Sequence, residues 1–186
     1  MSMKRGSVCK RCAFTGYRPQ KMPWGEDENH PLCVAFKARL RRALESLIGE
    51  GYVTFLSGCA RGFDTMAAET VLELRETYPW IQLEMVSPWD GQANKWSDAD
   101  KLRRARLFEQ ADRVIHISHV YGREVYFKRN AWMVTHCDLL LAAYDGLPGG
   151  TAMTVEYAHE HGVKVARLLP VKQKDHPSQC GGWSGG

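Results

Sequence analysis

The sequence predicts an α/β fold: a three-layer sandwich around a mostly parallel sheet of about six strands. Three observations predict it. Apolar runs of strand length alternate with helix-length segments along the chain, with short connections between them. Two strand-to-helix junctions are glycine-rich turns of one design, SGCARGFD and DGLPGG, and a third glycine loop, TGYRP, follows the first strand. The run Leu139 to Tyr144 is continuously apolar, as in a strand buried on both faces.

The elements follow in order. Ser7 to Phe14 carries Val8, Cys9, Cys12, Ala13 and Phe14, and its second half reads as the first strand, running into Thr15-Gly16-Tyr17-Arg18-Pro19. Lys21 to Pro31 is a polar loop with two prolines. From Pro31 to about Glu50, Cys33, Phe36, Leu40, Leu44, Leu47 and Ile48 recur at helical spacing, with Pro31 in the first turn and Gly49 and Gly51 at the end. Val53 to Leu56 is β-branched and aromatic, a buried strand. It meets the loop Ser57 to Asp64, and a helix from Thr65 to about Tyr78 stops before Pro79. Ile81 to Ser87 alternates as a third strand nearer an edge. Ser97-x-x-Asp100 resembles a capping box for a helix from Asp98 to Gln110. Lys101, Arg103, Arg104 and Arg106 are spread around that helix, the pattern of a solvated surface rather than a nucleic-acid stripe. Arg113 to Ile117 is the fourth strand and Tyr126 to Cys137 a helix. Leu139 to Tyr144 is the fifth strand, Thr151 to about Gly162 a helix, and Val163 to Leu168 the sixth strand. Residues 1–170 then form one domain, and the polar, glycine-rich 171–186 a flexible tail.

Composition is that of an ordinary globular domain, with 44% hydrophobic and 25% charged residues. A net charge of +4 suits an anionic ligand and is too small to argue for nucleic acid. No apolar run approaches the roughly 20 residues of a membrane span, and no apolar core follows the basic Met1 to Arg5. A cytoplasmic protein with reduced cysteines is expected. Cys9-x-x-Cys12 lacks the second pair of ligands that a zinc site needs, so no metal and no cofactor is expected.

The glycine turns carry the chemistry. A strand, a glycine turn and a helix present free backbone N–H groups and a positive helix end to an anion. In a parallel sheet, ligands sit beyond the carboxyl ends of the strands where the strand order reverses. The loops after strands one, two and five fall at that edge. They offer Gly16 and Arg18; Ser57, Gly58, Arg61, Gly62 and Asp64; and Asp145, Gly146, Gly149, Gly150 and Thr151 as ligand- or phosphate-binding residues. The first turn is not GxGxxG and no acidic residue is placed for a ribose, which argues against an NAD dehydrogenase.

These segments form an ordered set. CAFTGYRP at Cys12 to Pro19, PWGEDE at Pro23 to Glu28, SGCARGFDTMAAE at Ser57 to Glu69, RNAWM at Arg129 to Met133 and YDGLPGGTAMTV at Tyr144 to Val155 resemble the YspA-type (YpsA-like) family of the SLOG superfamily, named for Smf/DprA and the Lonely Guy enzymes. The likeness covers about Cys12 to Pro170. It implies a Rossmann-like fold that binds a nucleotide or a nucleotide-derived ligand. Locally the chain is also similar to the Lonely Guy phosphoribohydrolases, which pair R-K-x-x-M with P-G-G-x-G-T-x-x-E. Arg129, Met133, Pro148, Gly149, Gly150 and Glu156 fit that pattern. Asn130 replaces its lysine, Ala152 its third glycine and Met153 its threonine, so hydroxyls would have to come from Thr151 and Thr154. On this resemblance Arg129, Asn130 and Thr154 join the binding residues, and Arg129 and Glu156 are the catalytic pair if the protein is an enzyme.

Three functions compete. The leading reading is binding or sensing of a nucleotide-derived small molecule, AMP- or ADP-ribose-like, without turnover. The second is hydrolysis of the N-glycosidic bond of a nucleoside monophosphate. The third is binding of single-stranded DNA as in the DprA relatives, with Trp24, Trp89, Trp96 and Trp132 as stacking platforms. It ranks last because such tryptophans more often pack. The oligomeric state is left open, a homodimer included.

Overall fold

The computed structural model describes residues 9–170. The expected tail at 171–186 and the basic start at Met1 to Arg5 lie outside the described residues. Six parallel strands form one sheet in the order β4-β3-β2-β1-β5-β6. They are β1 Lys10–Gly16, β2 Tyr52–Ser57, β3 Gln82–Ser87, β4 Arg113–His116, β5 Leu139–Ala143 and β6 Lys164–Arg167. The helices are α1 Pro31–Gly49, α2 Phe63–Arg75, α3 Asp98–Gln110, α4 Val125–Thr135 and α5 Gly150–Glu160.

The three-layer α/β arrangement expected from the sequence is therefore present. Strands β1 to β4 are laid down in one direction, and the chain then returns to add β5 and β6 on the other side of β1. Right-handed crossovers put the helices of the two halves on opposite faces. Accordingly α1, α2 and α3 pack on one another in sequence, and α4 packs on α5. All five residues of β5 are buried, as its unbroken apolar run requires.

Boundaries differ from the sequence reading in small, explicable ways. Helix α2 starts at Phe63, two residues early, because Gly62 turns the chain into it at φ +90°. Helix α5 starts at Gly150, directly after Gly149, which holds a positive φ of 154°. Helix α3 begins as expected at Ser97, whose Oγ accepts from Asp100 N at 3.2 Å. The Asp100 carboxylate accepts the Ser97 hydroxyl at 2.7 Å, in place of the reciprocal backbone bond of a capping box.

One chain of aromatic contacts matters for the site. Phe55 and Phe63 both lie against Phe14 at 6.0 Å, Phe36 meets Phe63 at 6.1 Å, and Trp24 meets Phe36 at 5.2 Å. Trp24 is buried. It pins the loop between β1 and α1 onto the helical layer, so that loop is a fixed wall. A short 3-10 turn, Pro19–Lys21, folds the start of the same loop back over the sheet edge.

Candidate functional site

The strand order reverses between β1 and β5, and the crevice rule points to that seam. A cavity of about 380 Å³ lies there, within the ordinary range for small-molecule sites. Its walls come from four places. The loop after β1 gives Gly16, Tyr17, Arg18, Gln20 and Lys21; the β2–α2 junction gives Ala60 and Asp64. Helix α4 gives Tyr126, Arg129 and Asn130, and the first turn of α5 gives Gly150 and Thr151.

One end of the crevice is electropositive. The first turn of α5 leaves backbone N–H groups without helical partners, with the positive end of the helix dipole behind them. The Lys21 ammonium lies 3.0 Å from where a Cβ on Gly149 would stand, so it sits against the turn that opens α5. Arg18 is exposed beside it, 6.0 Å from the Tyr126 ring centre. The turn itself is held by Asp145. Its carboxylate accepts from the Tyr17 hydroxyl and from Leu147 N at 3.0 Å. The Tyr17 bond holds the Asp145 carboxyl below its ordinary range, while burial raises the Tyr17 phenol.

The deep end is built around Arg129. This side chain is buried, 6% exposed. Its Nη1 donates to the Gly58 carbonyl and lies 3.7 Å from Asp64 Oδ2. Its Nε donates to Asn130 Oδ1 at 2.7 Å. Asn130 Nδ2 donates on to Thr154 Oγ1 at 2.8 Å, and Thr154 donates to Gly150 O at 2.9 Å. A hydrogen-bonded line thus runs from the β2 loop through α4 to the start of α5. Arg129 first serves this line. Its Nη2 has no protein acceptor among the described residues.

The sequence-predicted residues separate by place. Gly16, Arg18, Asp64, Arg129, Asn130, Gly150 and Thr151 line the crevice together. Ser57, Gly58 and Gly62 stand behind the wall. Ser57 Oγ donates to Asp64 O at 2.9 Å, Gly58 lies under the Arg129 guanidinium, and Gly62 lies under the Tyr17 carbonyl. Asp145 and Gly146 are exposed on the turn, and Thr154 is buried beneath it. Arg61 does not reach the crevice. Its Nη2 donates to both Glu26 oxygens at 2.8 Å, and its Nε lies 3.0 Å from Asp100 at an angle too poor for a hydrogen bond. Glu156 is exposed on the outer side of α5 and lines no part of the crevice.

The basic helix also departs from expectation. Arg103 of α3 is half-buried in an ion-pair cluster. It donates to Glu69 from Nε and Nη2, both at 2.5 Å, and to Glu28 from Nη1 at 2.5 Å. Arg104 lies 3.9 Å from the Phe108 ring centre and donates to Ser87 Oγ at 3.1 Å. Arg106 remains exposed. The tryptophans mostly pack: Trp132 stacks on His136 at 3.9 Å and Trp89 meets Tyr121 edge-on. Cys9 and Cys12 are free thiols, and no metal-binding cluster occurs among the described residues.

A family model described as the YspA SLOG family matches residues 12–168. The chain belongs to the YspA SLOG family. Its relatives include UPF0398 proteins of three Bacillus species. That of Bacillus velezensis is 32% identical over 138 residues, covering 73% of this chain and 75% of the relative. That of Bacillus pumilus is 33% identical over 139 residues, covering 73% and 74%. That of Bacillus thuringiensis is 30% identical over 156 residues, covering 82% and 84%. Among solved structures, the single-stranded-DNA-binding DNA processing protein A from Helicobacter pylori matches with a TM-score of 0.60 at 17% identity. The match covers 86% of this chain and 65% of that one, and what it shares is the fold.

Several wall residues of this YspA SLOG family chain escaped the sequence reading as site residues: Tyr17, Gln20, Lys21, Ala60 and Tyr126. Lys21 sat at the head of what reads as a polar loop. The signal was Pro19, which pre-sets a tight turn and brings Lys21 back over the Tyr17 ring and against Gly149. Nothing local marks Tyr126, which reaches the crevice only because α4 crosses the opposite face.

Proposed function

We propose that this YspA SLOG family protein binds a nucleotide-derived small molecule, of the AMP or ADP-ribose kind, in the crevice between β1 and β5. One observation carries the reading. A cavity of ligand size at the switch point joins a cationic end, formed by Lys21, Arg18 and the start of α5, to a polar deep end formed by Asp64, Arg129 and Asn130. The first suits a phosphate, which backbone N–H groups and cations recognise together. The second suits hydroxyl or amino groups, which need fixed polar partners. The half-buried Tyr126, on the wall beside the buried Tyr17, offers aromatic surface for a base.

Binding or sensing is favoured over hydrolysis. A carboxylate that stabilises charge on a breaking glycosidic bond has to face the sugar. Glu156 stands on the exposed side of α5 instead. The proposed role is therefore recognition, with a change in stability or surface as its output.

The test is a thermal melt of the full chain with a panel that includes AMP and ADP-ribose. A ligand bound only by the native state stabilises it by mass action, roughly 2.7 kcal/mol at a hundredfold excess over Kd. The melt should rise with at least one nucleotide and rise less in Lys21→Ala. A flat response across the panel would overturn the reading.

A further inference from the structure

Among the described residues, Asp64 is the one carboxylate lining the crevice. It is 5% exposed, and its surroundings are built with care. Oδ2 accepts from Ala60 N at 3.3 Å and faces Arg129 Nη1 at 3.7 Å. The backbone around it is fixed by Ser57 Oγ on Asp64 O at 2.9 Å and by Thr65 Oγ1 on Ala60 O at 2.9 Å. Oδ1 accepts no hydrogen bond from any described residue. Oδ1 is not sealed from solvent, so a donor on a molecule in the crevice would replace water there. Burial raises the Asp64 carboxyl above its ordinary range, with Arg129 opposing.

We propose that Asp64 is the sugar-recognition residue of the crevice, its Oδ1 accepting a hydrogen bond from a ribose hydroxyl of the bound nucleotide. This rests on the nucleotide reading of the same crevice. The charge layout fixes the orientation. A carboxylate only accepts, and it repels a phosphate. The phosphate therefore goes to Lys21 and the α5 turn, and an uncharged donor goes to Asp64. On a nucleotide the donors nearest the phosphate are the ribose hydroxyls. Arg129, held by the Gly58 carbonyl 3.7 Å from Asp64, opposes the rise from burial and so favours the ionised, accepting form.

A site built to bond a hydroxyl discriminates strongly against the analogue that lacks it, since the buried acceptor is then left bare. Isothermal titration of the full chain with AMP, 2′-deoxy-AMP, 3′-deoxy-AMP and inosine monophosphate tests this. We expect at least one deoxy analogue to bind about tenfold or more weakly than AMP. Inosine monophosphate should bind like AMP, and Asp64→Asn should shrink the ribose preference. If AMP and both deoxy analogues bind equally, Asp64 does not read the sugar, though the crevice still binds nucleotides. If only inosine monophosphate loses affinity, Asp64 reads the base amino group and the proposal fails. If no nucleotide binds at all, the nucleotide reading and this proposal fall together. The wild-type series decides the matter by itself should Asp64→Asn not fold.

Discussion

Arg103 of α3 donates to Glu28 at 2.5 Å, joining two residues 75 positions apart in the chain. The bond clamps the loop that carries Lys21 onto the helical layer, in addition to Trp24. Wall and scaffold are thereby one body. The same guanidinium holds Glu69 of α2, and these carboxylates push the Arg103 proton affinity up, Glu69 the more strongly.

Arg103→Ala should therefore cost about 1–3 kcal/mol of unfolding free energy, because charged hydrogen bonds are lost and two carboxylates are left facing each other. Any nucleotide-induced rise in the melt should also shrink, since the Lys21 loop loosens. Arg106→Ala, at an exposed position on the same helix, should stay within about 0.5 kcal/mol of wild type. Urea melts of both variants check the contrast, and equal effects would contradict it.

Gly62→Ala should be severe. The residue has φ +90°, and an added Cβ would stand 2.5 Å from the Tyr17 carbonyl oxygen. Strain and clash together should remove roughly 2–4 kcal/mol. The tryptophan fluorescence midpoint in urea reports it directly. A variant as stable as wild type would mean the β1 loop can move away from α2.

Single-stranded DNA should bind weakly. Of the four basic residues on α3, Arg103 is spent on Glu28 and Glu69, and Arg104 on Ser87 and Phe108. A protein that neutralises few phosphates shows a shallow dependence of affinity on salt. Fluorescence anisotropy with a labelled oligonucleotide near physiological salt should show no sub-micromolar complex. A tight complex with a steep salt slope would reverse this ranking.

The Asp145 to Tyr17 bond gives a pH signature. Its folded carboxyl lies below the ordinary value, so its contribution is present above that ordinary value, about 3.9, and disappears as pH falls through the folded one. Asp145→Asn should melt earlier than wild type at neutral pH, and the two curves should converge in acid. A gap that persists undiminished at pH 2 would assign the effect to the turn itself rather than to the charge.

Much of the fold was legible because its signals are local. The apolar run that became β5 and the helical recurrence from Cys33 to Ile48 need no partner to be read. The glycine turns marked the carboxyl edge correctly, since glycine is required there for backbone reasons alone. What the sequence hides is how far an arginine reaches. Arg61 looked like an anion ligand between two glycines, yet its carboxylate partner Glu26 is 35 positions away. Arg129 looked like a free ligand residue, yet its guanidinium is held by the Gly58 carbonyl, 71 positions away. Long side chains choose among partners that only the strand order brings near, and that order is set by packing rather than by any local pattern.

The seam between β1 and β5 also divides the molecule as a machine would be divided. One ladder of backbone bonds joins the first four strands to the last two, and the crevice straddles it. A molecule seated there would touch both sides and act as a rivet. Severed between α4 and β5, the chain would yield two fragments that meet along the β1–β5 ladder and the α4–α5 contact, the same seam that walls the crevice.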